Sequence, residues 1–122
     1  MHELSITQSL CEQLTVIARA HHARRIARVA LELGALSNVV PELLREAFYA
    51  CREGDPLLET AGLEIRSLPL RVRCRSCRAE SEPAGRRLRC SACGGVRVDV
   101  IHGEELLLRD VEMEVEPEGV QS

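Results

Sequence analysis

Two segments of the chain repeat their apolar residues at intervals of three and four, the spacing that predicts an amphipathic helix. The first helix is expected to begin between Glu3 and Ser5 and to end at His21–His22, and the second is expected from Pro41 to about Arg52. The residues expected on their buried faces are Leu10, Cys11, Leu14, Ile17, Ala18, His21, Leu43, Leu44, Ala47, Phe48 and Cys51.

Alternating apolar and polar residues, the period of a β-strand, mark four further segments. Half-buried strands are expected at Arg25–Leu33 and Leu106–Val115, a short strand at residues 96–100, and another from Leu63 onward. In this last strand the apolar residues change from odd to even positions at Pro69, which predicts a bulge or bend between two modules. The residues expected to face inward are Ala27, Val29, Leu31 and Leu33 in the first strand and Val111, Met113 and Val115 in the last strand, Leu106–Val115.

Two Cys-x-x-Cys pairs, Cys74/Cys77 and Cys90/Cys93, lie twelve residues apart. Each pair can fold into a tight turn that directs both sulfurs at one ion, and the spacer is long enough to bring the pairs face to face. Four thiolates at tetrahedral geometry suit Zn²⁺ and leave no coordination position open for a substrate. The spacing therefore predicts a structural zinc site.

Disulfide bonds, a redox pair and iron are less favoured than zinc at these cysteines. Two disulfides would require an oxidising compartment, and the start of the chain lacks the basic and apolar regions of a signal peptide, so a cytoplasmic location is expected. A thioredoxin-like site would have one such pair in a βαβ context. Iron takes the same four ligands, so the residues alone leave iron open beside zinc.

The order of the predicted elements is α-β-α-β, a zinc insertion, and β, which indicates an α+β fold with two helices on a three-stranded sheet. Residues 1–70 and 102–116 are expected to form a discontinuous α/β domain. Residues 71–101 are expected to form a small zinc-ribbon-like module whose order depends on the metal. Residues 117–122 are expected to be a flexible tail.

The net charge of −3 conceals an asymmetry between two segments. Residues 71–97 carry eight arginines and two glutamates, a net +6, whereas residues 104–118 carry seven acids and one arginine, a net −6. A basic segment around a zinc site also suits phosphate contacts, so the alternative function is a zinc-ribbon nucleic-acid-binding protein that uses residues 71–97. This alternative is less favoured, because the segment has no aromatic residue to stack on bases and the acidic segment would repel phosphate.

Nothing in the sequence indicates a membrane protein or an enzyme. No apolar run approaches the roughly 20 residues that a membrane span requires. The predicted metal site has no open position, and we find neither a glycine-rich phosphate loop nor a nucleophile placed beside a histidine. A soluble protein without catalytic activity is expected.

Several motifs together resemble the HypA/HybF family, the nickel-insertion accessory proteins of nickel–iron hydrogenase and sometimes of urease. The resemblance covers essentially the whole chain. It is carried by Met1-His2-Glu3-Leu4-Ser5, by Leu31-Glu32-Leu33-Gly34-Ala35-Leu36-Ser37, by the two cysteine pairs and by Gly103-Glu104-Glu105-Leu106. The chain departs from the family at Ser91, where members often have proline, and in having no aromatic residue between the cysteine pairs.

The resemblance implies an α/β nickel-binding domain, a zinc domain, and delivery of Ni²⁺ together with a partner GTPase. It also implies the hydrogenase large subunit, and in some cases urease maturation proteins, as partners. By position, His2 is the implied nickel ligand, with the main chain of Met1 and Glu3 and the Glu3 side chain contributing. The implied zinc ligands are Cys74, Cys77, Cys90 and Cys93.

The chemistry of the first residues supports nickel independently. The α-amino group of Met1, the amide nitrogens after it and the imidazole of His2 are closely spaced nitrogen donors. Deprotonated amides favour square-planar ions such as Ni²⁺ and Cu²⁺ over Mg²⁺ or Ca²⁺. A histidine at this position is otherwise most often a solvated terminal residue, and it is the resemblance that favours nickel.

Overall fold

The computed structural model describes residues 2–83 and 87–115, with only the main chain described for His2. Its fold class is α+β, as predicted. The elements are α1 (His2–Ala20), β1 (Ala23–Gly34), α2 (Pro41–Cys51), β2 (Gly62–Leu68), β3 (Arg71–Cys74), β4 (Glu80–Ser81), β5 (Val98–His102) and β6 (Leu106–Val115).

The strands form two three-stranded sheets, one in the order β2-β1-β6 and one in the order β4-β3-β5. The first is the three-stranded sheet that the sequence predicts. In the second, β3 pairs antiparallel with both neighbours, so that Val72 lies opposite Ser81 on one side and Val100 on the other. The sequence did not predict β4, because a strand of two residues is too short to show a period.

In β1 and β6 the buried residues differ from those that the sequence predicts. β1 buries residues of both faces, Ile26 and Ala30 as well as Val29, and Ala27 is exposed. The expectation of a half-buried strand is therefore wrong. At the end of β6, Val115 was expected to face inward but is 49 % exposed.

The two helices pack against each other. α1 buries Leu10, Leu14 and Ala18, as its period predicts, and α2 buries Leu44 and Phe48. The expectation that Leu43 is buried is wrong, since 48 % of this residue is exposed. His21, which was expected on the stripe of α1, follows the helix and is also exposed.

The change of apolar phase at Pro69 coincides with a change of sheet. β2 ends at Leu68 in one sheet, β3 begins at Arg71 in the other, and a register irregularity lies between Arg71 and Val72. The side chains reverse here because the chain leaves one set of strand partners for another.

The chain divides into two compact units. Of the described residues, the helical unit comprises residues 2–31, 39–65 and 108–115, and the cysteine unit comprises residues 32–38, 66–83 and 87–107. The domain boundaries expected from the sequence, at residues 70 and 102, stay a prediction. The expected tail, residues 117–122, lies outside the described residues.

Two of the motifs that carry the family resemblance meet within the cysteine unit. The N–H of Gly34 donates to the carbonyl oxygen of Glu105 at 2.8 Å, and the N–H of Leu36 donates to that of Gly103 at 2.6 Å. The Glu105 carboxylate accepts from the N–H of Gly103 at 2.6 Å and lies 3.1 Å from Nδ1 of His102. The Gly103 N–H and the His102 ring lower the pKa of Glu105 to about 2.

Candidate metal sites

The four predicted zinc ligands come together in the cysteine unit. Cys74 is the last residue of β3, Cys77 follows in a turn, and Cys90 and Cys93 bracket a second turn before β5. The four Sγ atoms all lie within 4.8 Å of one another, and they are the one such group of possible metal ligands among the described side chains.

The two turns have the same local geometry. In the first, Arg78 donates its N–H to the carbonyl oxygen of Cys74, and in the second, Gly94 donates to that of Cys90, both at 2.9 Å. Each donor residue has a positive φ, 64° at Arg78 and 75° at Gly94, which closes the turn behind the cysteine pair. The repeated Cys-x-x-Cys spacing thus folds into two matching knuckles.

Main-chain N–H groups point at the sulfurs. Cys77 donates to Cys74 Sγ, Cys93 donates to Cys90 Sγ, and Gly95 donates to Cys93 Sγ, each at 3.4 Å. Donors of this kind stabilise the thiolate, the form of cysteine that binds a metal. A Cβ on Gly95 would lie 3.2 Å from Cys93 Sγ, so this glycine leaves room for the close approach.

The spacing of the sulfurs fits a tetrahedral metal ion. The Sγ atoms of Cys74 and Cys93 are 3.6 Å apart, as are those of Cys77 and Cys90. Zn–S bonds of about 2.3 Å at tetrahedral angles place sulfurs about 3.8 Å apart. The four residues therefore fit structural zinc, whose chemistry there would be to cross-link the two knuckles.

The thiols differ in their acidity. The N–H of Cys77 lowers the pKa of Cys74 to about 6, and the N–H of Cys93 lowers the pKa of Cys90. The N–H of Gly95 acts in the same direction on Cys93, but the three neighbouring sulfurs together raise the pKa of Cys93 to about 12. Four negative sulfurs this close repel one another, and a divalent cation relieves that repulsion.

The basic charge around the cysteines is partly neutralised within the same unit. Arg75 contacts Asp99 at 2.6 Å and Arg73 contacts Glu80 at 2.7 Å. Hydrogen bonds from these arginines lower the pKa of both carboxyl groups. At least these two arginines of the segment are therefore paired with carboxylates of the same unit.

Of the predicted nickel residues, the structure describes Glu3 and the main chain of His2, which lie in the first turn of α1. Met1 and the His2 side chain are outside the described part of the chain, and the main chain of His2 is the first residue of the helix. Glu3 is 8 % exposed. Its Oε2 accepts the N–H of Val40 at 3.1 Å, and its carbonyl oxygen accepts the hydroxyl of Thr7 at 2.8 Å.

Sequence reasoning missed the residues that support these sites. Val40 and Thr7 carried no signal, because an apolar residue before a helix and a threonine within one suggest no role at a metal site. At the cysteines, the donors are main-chain N–H groups, which every residue except proline carries, so residue identity does not reveal them.

Comparison with known proteins assigns the family. The family described as "Hydrogenase/urease nickel incorporation, metallochaperone, hypA" matches residues 1–113. The chain belongs to the HypA family. The resemblance seen in the sequence motifs is therefore confirmed.

Relatives agree over nearly their whole length. The chain is 41 % identical over 116 residues to "Hydrogenase maturation factor HypA" of Shewanella baltica, with 95 % of this chain and 98 % of the relative covered. It is 44 % identical over 114 residues to the factor of the same name from Geotalea uraniireducens, with 93 % and 100 % covered. The solution structure of the nickel metallochaperone HypA from Helicobacter pylori matches with a TM-score of 0.70 at 27 % identity, covering 93 % of this chain and 98 % of that one.

These comparisons bear on the remaining expectations from the sequence. Members of the HypA family are nickel metallochaperones for hydrogenase maturation, and nickel and zinc are the metals expected of this chain. The nucleic-acid-binding alternative receives no support from any of these matches. Among the described helices, none is both long and apolar enough to cross a membrane.

Proposed function

We propose that this protein is a nickel metallochaperone that binds Ni²⁺ at its N-terminus and releases it for the maturation of nickel–iron hydrogenase. The observation that carries the proposal is the family match, which begins at residue 1 and extends to residue 113. The match includes the N-terminal motif and the four clustered cysteines.

We place nickel on the first three residues. The ligands are the α-amino group of Met1, the imidazole and amide nitrogen of His2, and the main chain of Glu3. In a helix that begins at His2, the first amide nitrogens take no part in the i−4 hydrogen bonds of the helix, so metal binding breaks none of them. Four nitrogen donors favour square-planar Ni²⁺.

Zinc has a separate, structural role in this proposal. Cys74, Cys77, Cys90 and Cys93 hold it, and their four sulfurs leave no position for a substrate. The chain then performs no reaction of its own. It binds nickel, presents it and gives it up.

Delivery requires partners. We propose a nickel-insertion GTPase and the hydrogenase large subunit as the proteins that this chain contacts, and urease maturation proteins where urease is served. We also propose that the protein acts in the cytoplasm. Direct contact is needed because ligand exchange passes the ion between groups only about 2 Å from it.

Nickel titration of three proteins tests the assignment: the native chain, His2→Ala, and a chain extended by two residues before Met1. The native chain should bind one Ni²⁺ with a square-planar absorption spectrum. His2→Ala should lose stoichiometric binding because the imidazole is gone, and the extension should weaken it because the primary amine becomes an amide.

The matched control is His21→Ala, which removes an exposed histidine at the other end of α1 and should leave nickel binding unchanged. Zinc content and helix content should stay the same in all four proteins. Unchanged nickel binding in His2→Ala would overturn the assignment, and unchanged binding in the extended chain alone would move the ligands from the amine to side chains.

A further inference from the structure

We propose that a groove beside strand β2 is a docking site for the C-terminal carboxylate of an extended segment of a partner protein. The groove lies within the helical unit, has a volume of about 400 Å³, and is lined by Arg28, Arg45, Tyr49 and residues 62–65. Grooves of about 300–1,000 Å³ hold small ligands, so this one has room for the last residues of a chain. The inference is independent of the proposed function, because it involves neither the nickel residues nor the cysteines.

β2 is an edge strand, and side chains from α2 close the first part of its free edge. The strand order β2-β1-β6 leaves one side of β2 without a neighbouring strand in the part of the chain that the structure describes. On that side Arg45 donates to the carbonyl oxygen of Leu63 at 2.5 Å, and the Leu63 N–H donates to the Tyr49 hydroxyl at 3.4 Å. These side chains take the place of a neighbouring strand at Leu63, as edge strands commonly require.

The closed part of the edge ends at Leu63, and the next outward-facing residue of β2 is Ile65. Alternate residues of a strand direct their main-chain groups to the same side, so the N–H and C=O of Ile65 point away from β1 as those of Leu63 do. Ile65 lines the groove, and no hydrogen bond from a described residue outside the sheet reaches either group. Free edge groups of this kind are a template to which an extended peptide adds.

The two residues that close the edge still have hydrogen-bond donors to offer. A guanidinium has five N–H groups, and Arg45 donates to the Leu63 carbonyl but contacts no carboxylate among the described side chains. The Tyr49 hydroxyl accepts from Leu63, which leaves its own O–H to donate. A cation without a counter-charge beside a hydroxyl donor suits a carboxylate, which binds arginine through charge-assisted hydrogen bonds.

The place of these donors selects the end of a chain. A strand added beside Ile65 meets Arg45 and Tyr49 where the free edge stops, so it cannot continue past Leu63. If it runs antiparallel to β2, the commoner arrangement, its C-terminus lies at the start of β2, which is the end that α2 closes. Its terminal carboxylate then reaches the two free donors. Capture of a C-terminal carboxylate beside a sheet edge is a known mode of peptide recognition.

The other cation of the groove is already neutralised. Arg28 contacts the Glu64 carboxylate at 2.6 Å and the Glu112 carboxylate at 3.2 Å. Because two carboxylates share this guanidinium, it offers no uncompensated charge to a ligand. Among the described residues that line the groove, Arg45 is therefore the cation on which recognition of a carboxylate depends.

Titration of the zinc-loaded native chain with two peptides tests the proposal. The probe is acetyl-Ser-Thr-Val-Thr-Val with a free C-terminus, and its control is the same peptide with an amidated C-terminus. The free acid should shift the NMR signals of the amides of residues 62–65, and the amidated peptide should bind at least about tenfold more weakly, since it cannot make charge-assisted hydrogen bonds. Equal affinities, or no shift of these signals with either peptide, would overturn the proposal.

Substitutions locate the carboxylate within the groove. Arg45→Gln keeps a donor for the Leu63 carbonyl but removes the charge, so it should weaken binding of the free acid about tenfold or more and leave the amidated peptide unaffected. Arg52→Gln is the matched control, because Arg52, the C-cap residue of α2, also donates to a main-chain carbonyl, that of Ala61, but does not line the groove. Equal losses in the two variants would contradict the assignment, and the comparison of peptides on the native chain requires no variant to fold.

Two further outcomes would assign the groove to another occupant. Sodium acetate that shifts the same signals at the concentration at which the peptide acts would make it a site for any small carboxylate. A native chain that self-associates in analytical ultracentrifugation, and becomes monomeric in Arg45→Gln, would make a second copy the occupant. Under the proposal, acetate acts only at far higher concentration, and Arg45→Gln has the same oligomeric state as the native chain.

Discussion

The carbonyl group of Gly103 occupies the space that a Cβ atom on Gly34 would need. The amide nitrogen of Glu104 lies only 2.9 Å from the same point, so the obstacle is the peptide group that joins Gly103 to Glu104. Gly34 and Gly103 belong to the two motifs that the chain shares in sequence with its family. The close approach gives a physical reason for a glycine at position 34.

Gly34→Ala should therefore destabilise the cysteine unit strongly. Main chain cannot move aside as a flexible side chain can, so we expect a loss of about 3 kcal/mol or more in the free energy of unfolding, the upper end of overpacking effects. Urea unfolding of the zinc-loaded protein measures it. Gly62→Ala is the matched control, since its added Cβ would have its nearest neighbour, the carbonyl oxygen of Ala27, at 3.9 Å; similar midpoints for the two variants would contradict the prediction.

Cys74→Ser should remove zinc and disorder the cysteine unit. Binding of a structural zinc contributes about 10–16 kcal/mol in small zinc modules, more than a unit of this size can replace. Metal analysis should find one zinc per native chain and none in the variant, while the helix signal in circular dichroism is retained. Cys51→Ser, a cysteine outside the cluster, should keep its zinc.

The thiol of Cys11 should remain protonated well above the pH at which an exposed cysteine ionises. Burial, followed by the nearby Cys51 and Asp55, raises the pKa of Cys11 to about 11 from an ordinary value of 9.0. Because the folded pKa is the higher one, this thiol stabilises the fold fully below about pH 9, and the contribution is lost as the pH rises towards 11.

Urea midpoints of the native chain and Cys11→Ala between pH 8 and pH 10 test this expectation. The advantage of the native chain should be constant at first and then shrink with rising pH. Alkylation by iodoacetamide, followed by mass spectrometry, should leave Cys11 largely unmodified at pH 8. Rapid alkylation there would show that the thiol is accessible and ionised.

Nucleic acid should bind only weakly. Arg73 and Arg75 contact acidic partners in their own unit, so fewer charges are available for phosphates than the arginine count suggests. We expect affinity for duplex DNA at low salt that is lost by about 0.15 M salt, as non-specific phosphate contacts are. Tight binding at that concentration in a fluorescence anisotropy titration would revive the nucleic-acid alternative.

The parts of the structure that the sequence predicted depend on local spacing. The cysteine pairs were recognisable because both ligands of each knuckle lie within four residues, and the buried face of α1 because Leu10, Leu14 and Ala18 recur with the helical period. Pro69 was informative because a reversal of side chains must have a cause in the backbone.

The features that were missed depend on contacts between distant residues. The burial of residues on both faces of β1 depends on what packs against the sheet, which the strand's own alternation does not encode. Glu3 and Val40 are 37 positions apart, and nothing near Val40 indicates that its N–H has an acceptor on another helix. The exposure of Leu43 similarly depends on what lies opposite it, not on its place in the helical period.

Within each knuckle the two cysteines differ in their exposure to solvent, and we expect this difference to set the order in which they release the metal. Cys74 and Cys90, the first cysteine of each pair, are 1 % exposed, whereas Cys77 and Cys93 are open to solvent. We therefore expect a chelator or a thiol-reactive reagent to reach Cys77 and Cys93 before Cys74 and Cys90. Loss of the ion should thus proceed through a species in which Cys74 and Cys90 still bind the metal. Substitutions at residues 77 and 93 should therefore change the rate of metal exchange far more than they change the equilibrium affinity.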